Sequence, residues 1–114
     1  MTDNDRGTLD VRTRAVARMA EIAATNVAGV ERVTGGITSR SLPRVDAIVR
    51  GGRIRATVEV ATAWPTPIAD VACRVRSAVE QDLTRNSGLA VDSVDVRIQY
   101  SAPETRNTRS RRVE

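Results

Sequence analysis

Side chains able to do chemistry are scarce in this chain of 114 residues. Histidine is absent, which removes the commonest general base and the commonest metal ligand together. All 18 basic residues are arginine, so neither a Schiff-base lysine nor the lysine of a Walker-type phosphate loop exists. Cys73 is the single cysteine. It cannot form an intramolecular disulfide, and zinc sites built from cysteine and histidine are excluded by counting. What remains is carboxylate. Asp92 and Asp95 stand three apart in an alternating strand pattern, so they are expected on opposite faces and not as an acid/base pair. Asp46 and Glu59 are expected to face each other across the outer side of a hairpin, solvated among arginines. Cys73 lies off the stripe formed by Val71, Val75 and Val79 and reads as a small residue on a helix flank. The expectation is a protein that is not an enzyme and holds no cofactor and no metal.

A second chemistry to weigh is phosphate recognition by arginine. Arg50-Gly51-Gly52-Arg53 has the letters of an RGG element. It occurs once, however, between two segments of period-two alternation. Val45, Ala47 and Val49 alternate with polar neighbours before it, and Ile54, Ala56, Val58 and Val60 do so after it. Two glycines between such segments signal a tight hairpin turn, whose backbone needs positive φ. Phenylalanine is absent, and Trp64 and Tyr100 are the only aromatics. Modules that read single-stranded nucleic acid stack bases on several aromatics. The net charge of +4 is modest and the 14 acidic residues are interspersed with the arginines, which suits an ordinary solvated surface. Weak arginine-mediated nucleic-acid binding therefore stands as the alternative reading.

The elements that would position these residues follow from periodicity. Residues 1–7 read as a disordered lead-in. Leu9 and Val11 alternate as in a short strand. Residues 13–28 carry Val16, Met19, Ala20, Ala23 and Val27 on one stripe, with Arg14, Arg18, Glu21 and Thr25 opposite, as in an amphipathic helix that Gly29 stops. Residues 29–33 form a short apolar strand, followed by a loop rich in glycine and serine. The hairpin comes next. A second helix is expected from Thr66 as cap and Pro67 as first helical residue, with Ile68, Val71, Ala72, Val75, Ala78, Val79 and Leu83 buried and Gly88 ending it. The last strand sets Val94, Val96, Ile98 and Tyr100 against Asp95, Arg97 and Gln99. Residues 101–114 lack apolar periodicity and read as a disordered basic tail. Arg106, Arg109, Arg111 and Arg112 against Glu104 and Glu114 give that tail a net charge of +2, a weak bias towards an anionic membrane surface.

The expected domain spans residues 8–100. Its order is β-α-β-β-β-α-β, an α/β (α+β) two-layer sandwich with a mixed sheet of about four strands and both helices on one face. The unit from residue 53 to 100 is β-α-β, so its strands should run parallel with a right-handed crossover. The acidic, polar start does not read as a signal peptide, and no apolar run is long enough to span a bilayer. A cytoplasmic protein is the expectation.

Two stretches carry a resemblance. They are GTLDVRTRAVARMAEIAATNVAGVERV and RIRATVEVATAWPTPIADVACRVRSAVEQDLTRNSGLAVDSVDVRI, which cover most of residues 7–98. In order and spacing, Ile22-Ala23, Val27-Ala28-Gly29-Val30, Gly88-Leu89 and Val94-Asp95-Val96 make the chain similar to the alkaline shock protein family of envelope stress response proteins. The all-arginine composition and the segment around Trp64 look like the actinobacterial branch. The resemblance implies a non-enzymatic cytoplasmic protein that self-associates and gathers at the inner membrane face through a small membrane-protein partner. It supplies no catalytic residues. Many family members have a Tyr-Gly pair before the second helix, where this chain has Ala63-Trp64-Pro65. The candidate interaction surface read from the residues is Arg53, Arg55, Thr57, Glu59, Arg97 and Gln99, with Trp64 as an exposed anchor or a cover for the core edge.

Overall fold

Alternation over residues 45–60 becomes two antiparallel strands, and the two glycines between them become their turn. The computed structural model describes residues 2–35 and 41–101, with side chains from Val11 onward. Its elements are α1 (Thr2–Thr25), β1 (Arg44–Arg50), β2 (Arg53–Thr62), α2 (Ile68–Asn86) and β3 (Ala90–Tyr100). Gly51 and Gly52 turn the hairpin at φ of +60° and +73°, values that carry little cost only without a Cβ. The turn sets the register, with Arg50 opposite Arg53 and Asp46 opposite Thr57. β2 then pairs with β3 in parallel, as a β-α-β crossover requires, and the sheet order is β1-β2-β3.

Burial follows the two periods. On β2, Ile54, Ala56, Val58 and Val60 are buried while Arg53 and Arg55 are exposed. On α2, Val71, Val75, Val79 and Leu83 recur every four residues and are fully buried. On α1, Val16, Ala20 and Ala24 are buried. The small side chains of α1 let it sit close to the sheet and to α2. All these residues join one core cluster with Val94, so both helices lie on the same side of the sheet. Burying each valine or leucine stabilises the fold by roughly 1.5–3 kcal/mol. Gly29 turns the chain after α1 at φ +97°, and a Cβ there would meet Val71 Cγ2 at 3.2 Å. Thr62, a buried polar residue, donates its hydroxyl to the Gly29 carbonyl at 2.6 Å and ties that turn to the sheet.

Several expectations change. The strand at residues 8–12 is part of α1, as are residues 2–7, which the sequence suggested as a disordered lead-in. Five residues of alternation are too short to outweigh local helix bonding when no sheet edge receives them, and Val11 is exposed. The strand at residues 29–33 shrinks to two isolated bridges, Glu31 with Ala61 and Val33 with Leu42. β2 ends one residue past Ala61, so little backbone is left to pair. The sheet therefore has three strands, not about four, and the order among the described residues is α-β-β-α-β, in place of β-α-β-β-β-α-β. The second helix starts at Ile68 after Pro67, with no side-chain cap from Thr66. Ile68 is 37% exposed, so the buried stripe begins at Val71.

Candidate functional site

The side of the sheet away from the helices carries the residues of interest. Alternation sends Asp46, Ile48 and Arg50 of β1 to this face, with Arg53, Arg55, Thr57 and Glu59 of β2 and Asp95, Arg97 and Gln99 of β3. Register arranges them in rows across the three strands. Arg44, Glu59 and Arg97 form one row, Asp46, Thr57 and Asp95 another, and Ile48, Arg55 and Ser93 a third. Opposite charges meet within the first row and acids flank a threonine in the second. Arg44 also reaches Asp46 at 3.7 Å. Among the described residues nothing packs over this face, and Ile48 is 56% exposed there.

Asp92 belongs to this face through a β-bulge. Ile54 pairs with Val91 and Arg55 with Ser93, so Asp92 is the extra residue between them. The bulge turns its carboxylate towards β2. Oδ1 accepts from Arg53 Nη2 at 3.0 Å and Oδ2 from Arg55 Nε at 3.2 Å. Hydrogen bonds from Arg53 and then Arg55, helped by their charges, hold the Asp92 carboxyl below the usual aspartate range. The expectation that Asp92 and Asp95 point to opposite faces is thus overturned, because one inserted residue resets the alternation. They form no acid/base pair either, since Asp92 is engaged by the two arginines. Ile48, Arg50, Arg53, Arg55 and Asp92 line a shallow cleft of about 270 Å³.

Trp64 lies elsewhere. β2 and β3 end together, with Thr62 beside Tyr100, and the chain turns through Trp64 into α2. Trp64 is 72% exposed and meets Tyr100 edge-on, with ring centroids 5.1 Å apart and planes at 74°. The Tyr100 hydroxyl donates to the Thr66 carbonyl at 3.1 Å. Trp64 therefore does not cover the core edge. It projects from the end of the sheet opposite the hairpin, with exposed Pro65, Pro67 and Ile68 around it.

Of the residues proposed from the sequence, Arg53, Arg55, Thr57, Glu59, Arg97 and Gln99 share one surface and Trp64 does not. Arg106, Arg109, Arg111 and Arg112 lie outside the described residues. Sequence reasoning missed Asp92 and Ile48 as members of the face, and no local pattern marks a bulge whose partners are 37 and 39 residues away. Arg74 donates to the Ala28 carbonyl at 3.2 Å. Cys73 is exposed. Among the described residues no three His, Cys, Asp or Glu side chains gather as a metal-ligand group. No helix there is long and apolar enough to cross a membrane.

Comparison with known proteins gives a family and a fold. The profile of the alkaline shock protein family, described by a cell envelope-related function, matches residues 1–100. Among solved structures, a doubly substituted form of the MamM CTD aligns with a TM-score of 0.59 at 21% identity, covering 78% of this chain and 94% of that one. The copper form of the MamM CTD aligns with the same score at 17% identity, over 81% and 89% of the two chains. At such identity the likeness concerns the fold alone. No curated protein matches the chain.

Proposed function

The chain belongs to the alkaline shock protein family, whose function is cell envelope-related, and from that premise we propose that it acts without catalysis, as a scaffold in the response to envelope stress. It self-associates and binds a membrane protein at the inner face of the cell membrane. The observation that carries this reading is the sheet face left bare on one side. A single layer of helices covers one surface of β1, β2 and β3, and the other offers Arg53, Arg55, Thr57, Glu59, Arg97 and Gln99 as a flat surface of mixed charge. Such a surface suits contact with a copy of itself or with a polar partner, because charge rows of alternating sign set orientation and register.

Weak nucleic-acid binding has less to support it. Arg53 and Arg55 already bond Asp92, and the aromatic pair stands at the other end of the sheet from the hairpin arginines.

Sedimentation over a concentration series, together with crosslinking in cells and identification of what is captured from the membrane fraction, tests the proposal. We expect concentration-dependent assembly of the wild-type chain and capture of a membrane protein. Reversing Arg55→Glu and Arg97→Glu should shift sedimentation to smaller species while leaving the fold intact. A strict monomer that captures nothing from the membrane overturns the reading.

A further inference from the structure

The charge pattern on the bare sheet face is complementary to itself. In the row Arg44, Glu59, Arg97 the two outer strands hold cations, and in the next row, Asp46, Thr57, Asp95, they hold acids. Asp46, Asp95 and Arg97 are exposed and Arg44 is half-buried. Arg44 meets Asp46 only at 3.7 Å, and 70% of that aspartate side chain is open to solvent. Among the described residues no hydrogen bond or ion pair engages Asp95 or Arg97. A closed pair of identical chains is related by a two-fold axis, so one face must fit a copy of itself. Facing sheets stack about 10 Å apart, a gap that an arginine and an aspartate bridge from opposite sides. Two kinds of in-plane axis allow such stacking. An axis along the strands puts β1 over β3 of the copy. Arg44 then faces Arg97 and Asp46 faces Asp95, so like charges meet throughout. An axis across the strands, midway between the two rows, puts each strand over its own copy running the opposite way. Arg44 then faces Asp46 of the copy and Arg97 faces Asp95, each twice by symmetry. Centring that axis on either row instead sets Arg44 over Arg44 or Asp46 over Asp46.

We propose that a second copy of this chain occupies the sheet face in that one register, with Arg44 over Asp46 and Arg97 over Asp95 in both directions. The proposal rests on the reading that the chain self-associates, and it names the surface, the axis and the contacting pairs. Between the two charged columns, Glu59 faces Thr57 of the copy, whose hydroxyl is a donor. The opposite charges favour one orientation out of several, which is what charge complementarity contributes most to an interface. A partner of a single sign fits less well. A polyanion such as nucleic acid, or an acidic peptide, gains at the arginine row and loses at the aspartate row. Three strands by three rows cover roughly 300 Å² per copy, well below the roughly 800 Å² per partner of a standard interface. The charged pairs lie on the outer strands, where water still reaches them, so the pairing is weak and sensitive to salt.

Charge exchange between positions 95 and 97 tests the register on the full chain, read by sedimentation equilibrium at low salt. The wild type should show a monomer–dimer equilibrium that half-molar salt weakens at least tenfold. Arg97→Asp gives a chain with acids at both positions, and Asp95→Arg gives one with arginines at both. Each alone should dimerise at least tenfold more weakly than the wild type, because like charges then face each other twice. Mixed in equal amounts, the two variants should pair with each other and recover most of the wild-type affinity. That recovery also shows that both variants are folded, and circular dichroism confirms it. The double variant Asp95→Arg with Arg97→Asp should likewise dimerise close to the wild type. A wild type that assembles while the mixture of variants does not recover overturns this register and leaves self-association standing. Tighter dimers of Arg97→Asp overturn it too, since they point to the axis along the strands. Assembly indifferent to every exchange overturns it in favour of pairing through a strand edge. A wild type that stays monomeric at every concentration removes the register together with the self-association beneath it.

Discussion

The two faces of β2 share one backbone and differ in everything else. Ile54, Ala56, Val58 and Val60 point to the helices and are buried, whereas Arg53 and Arg55 are exposed and Thr57 and Glu59 half-buried. One residue of displacement along the strand separates a position that holds the fold together from one that is free to serve a partner. Stability and the proposed contact surface are therefore written in alternate letters of the same ten-residue segment. The outer letters can change charge and identity without touching the core, and the inner ones cannot.

The contrast is broken most severely by giving an inner position an outer side chain. Val58→Arg should leave the chain unfolded, because a buried guanidinium without a partner costs more than the roughly 5–15 kcal/mol a domain holds. Circular dichroism and proteolysis read the loss. Next comes the turn that fixes which letters face which way. Gly52→Val has open space for its side chain but must hold φ near +73°, which should cost about 1–3 kcal/mol in urea denaturation. Thr57→Arg, one residue from the first substitution, should do the opposite. It lies between Asp46 and Asp95 in the register, so opposite charges across strands should raise stability by about 0.2–1 kcal/mol. The smallest effect is expected for Asp92→Asn. Arg53 and Arg55 depress the Asp92 titration in the folded state. Its contribution is thus present at neutral pH and is lost as pH falls below the range where a free aspartate titrates, about pH 4. The wild type should exceed the variant slightly in denaturation midpoint at pH 7, and the difference should vanish in acid. A difference that grew in acid would contradict the assigned ion pair.

Much of this contrast was legible in the amino-acid sequence because it is periodic. The alternation from Val45 to Val60, the Gly51-Gly52 turn, the four-residue spacing on α2 and the parallel β-α-β unit all depend on local spacing. What escaped is not periodic over a useful length. Leu9 and Val11 alternate for too few residues to decide between strand and helix. The stretch 29–33 has strand composition, yet finds only single bridges because β2 runs out. The position of Asp92 depends on one inserted residue in β3 and on two arginines far away in sequence. Trp64 among prolines fits both a lid on the core and an outward anchor, and only the neighbouring Tyr100 decides between them.

The parallel pairing of β2 with β3 has a consequence for birth on the ribosome. β2 ends at Thr62 and β3 starts at Ala90, so at about 5–20 residues per second the finished hairpin waits some seconds for its second neighbour. Through that interval the central strand presents the unpaired N–H and C=O groups of one edge to other nascent chains. Arg53, Arg55 and Glu59, spaced along it, then act as gatekeepers against sticking, well before any mature surface exists for them to decorate.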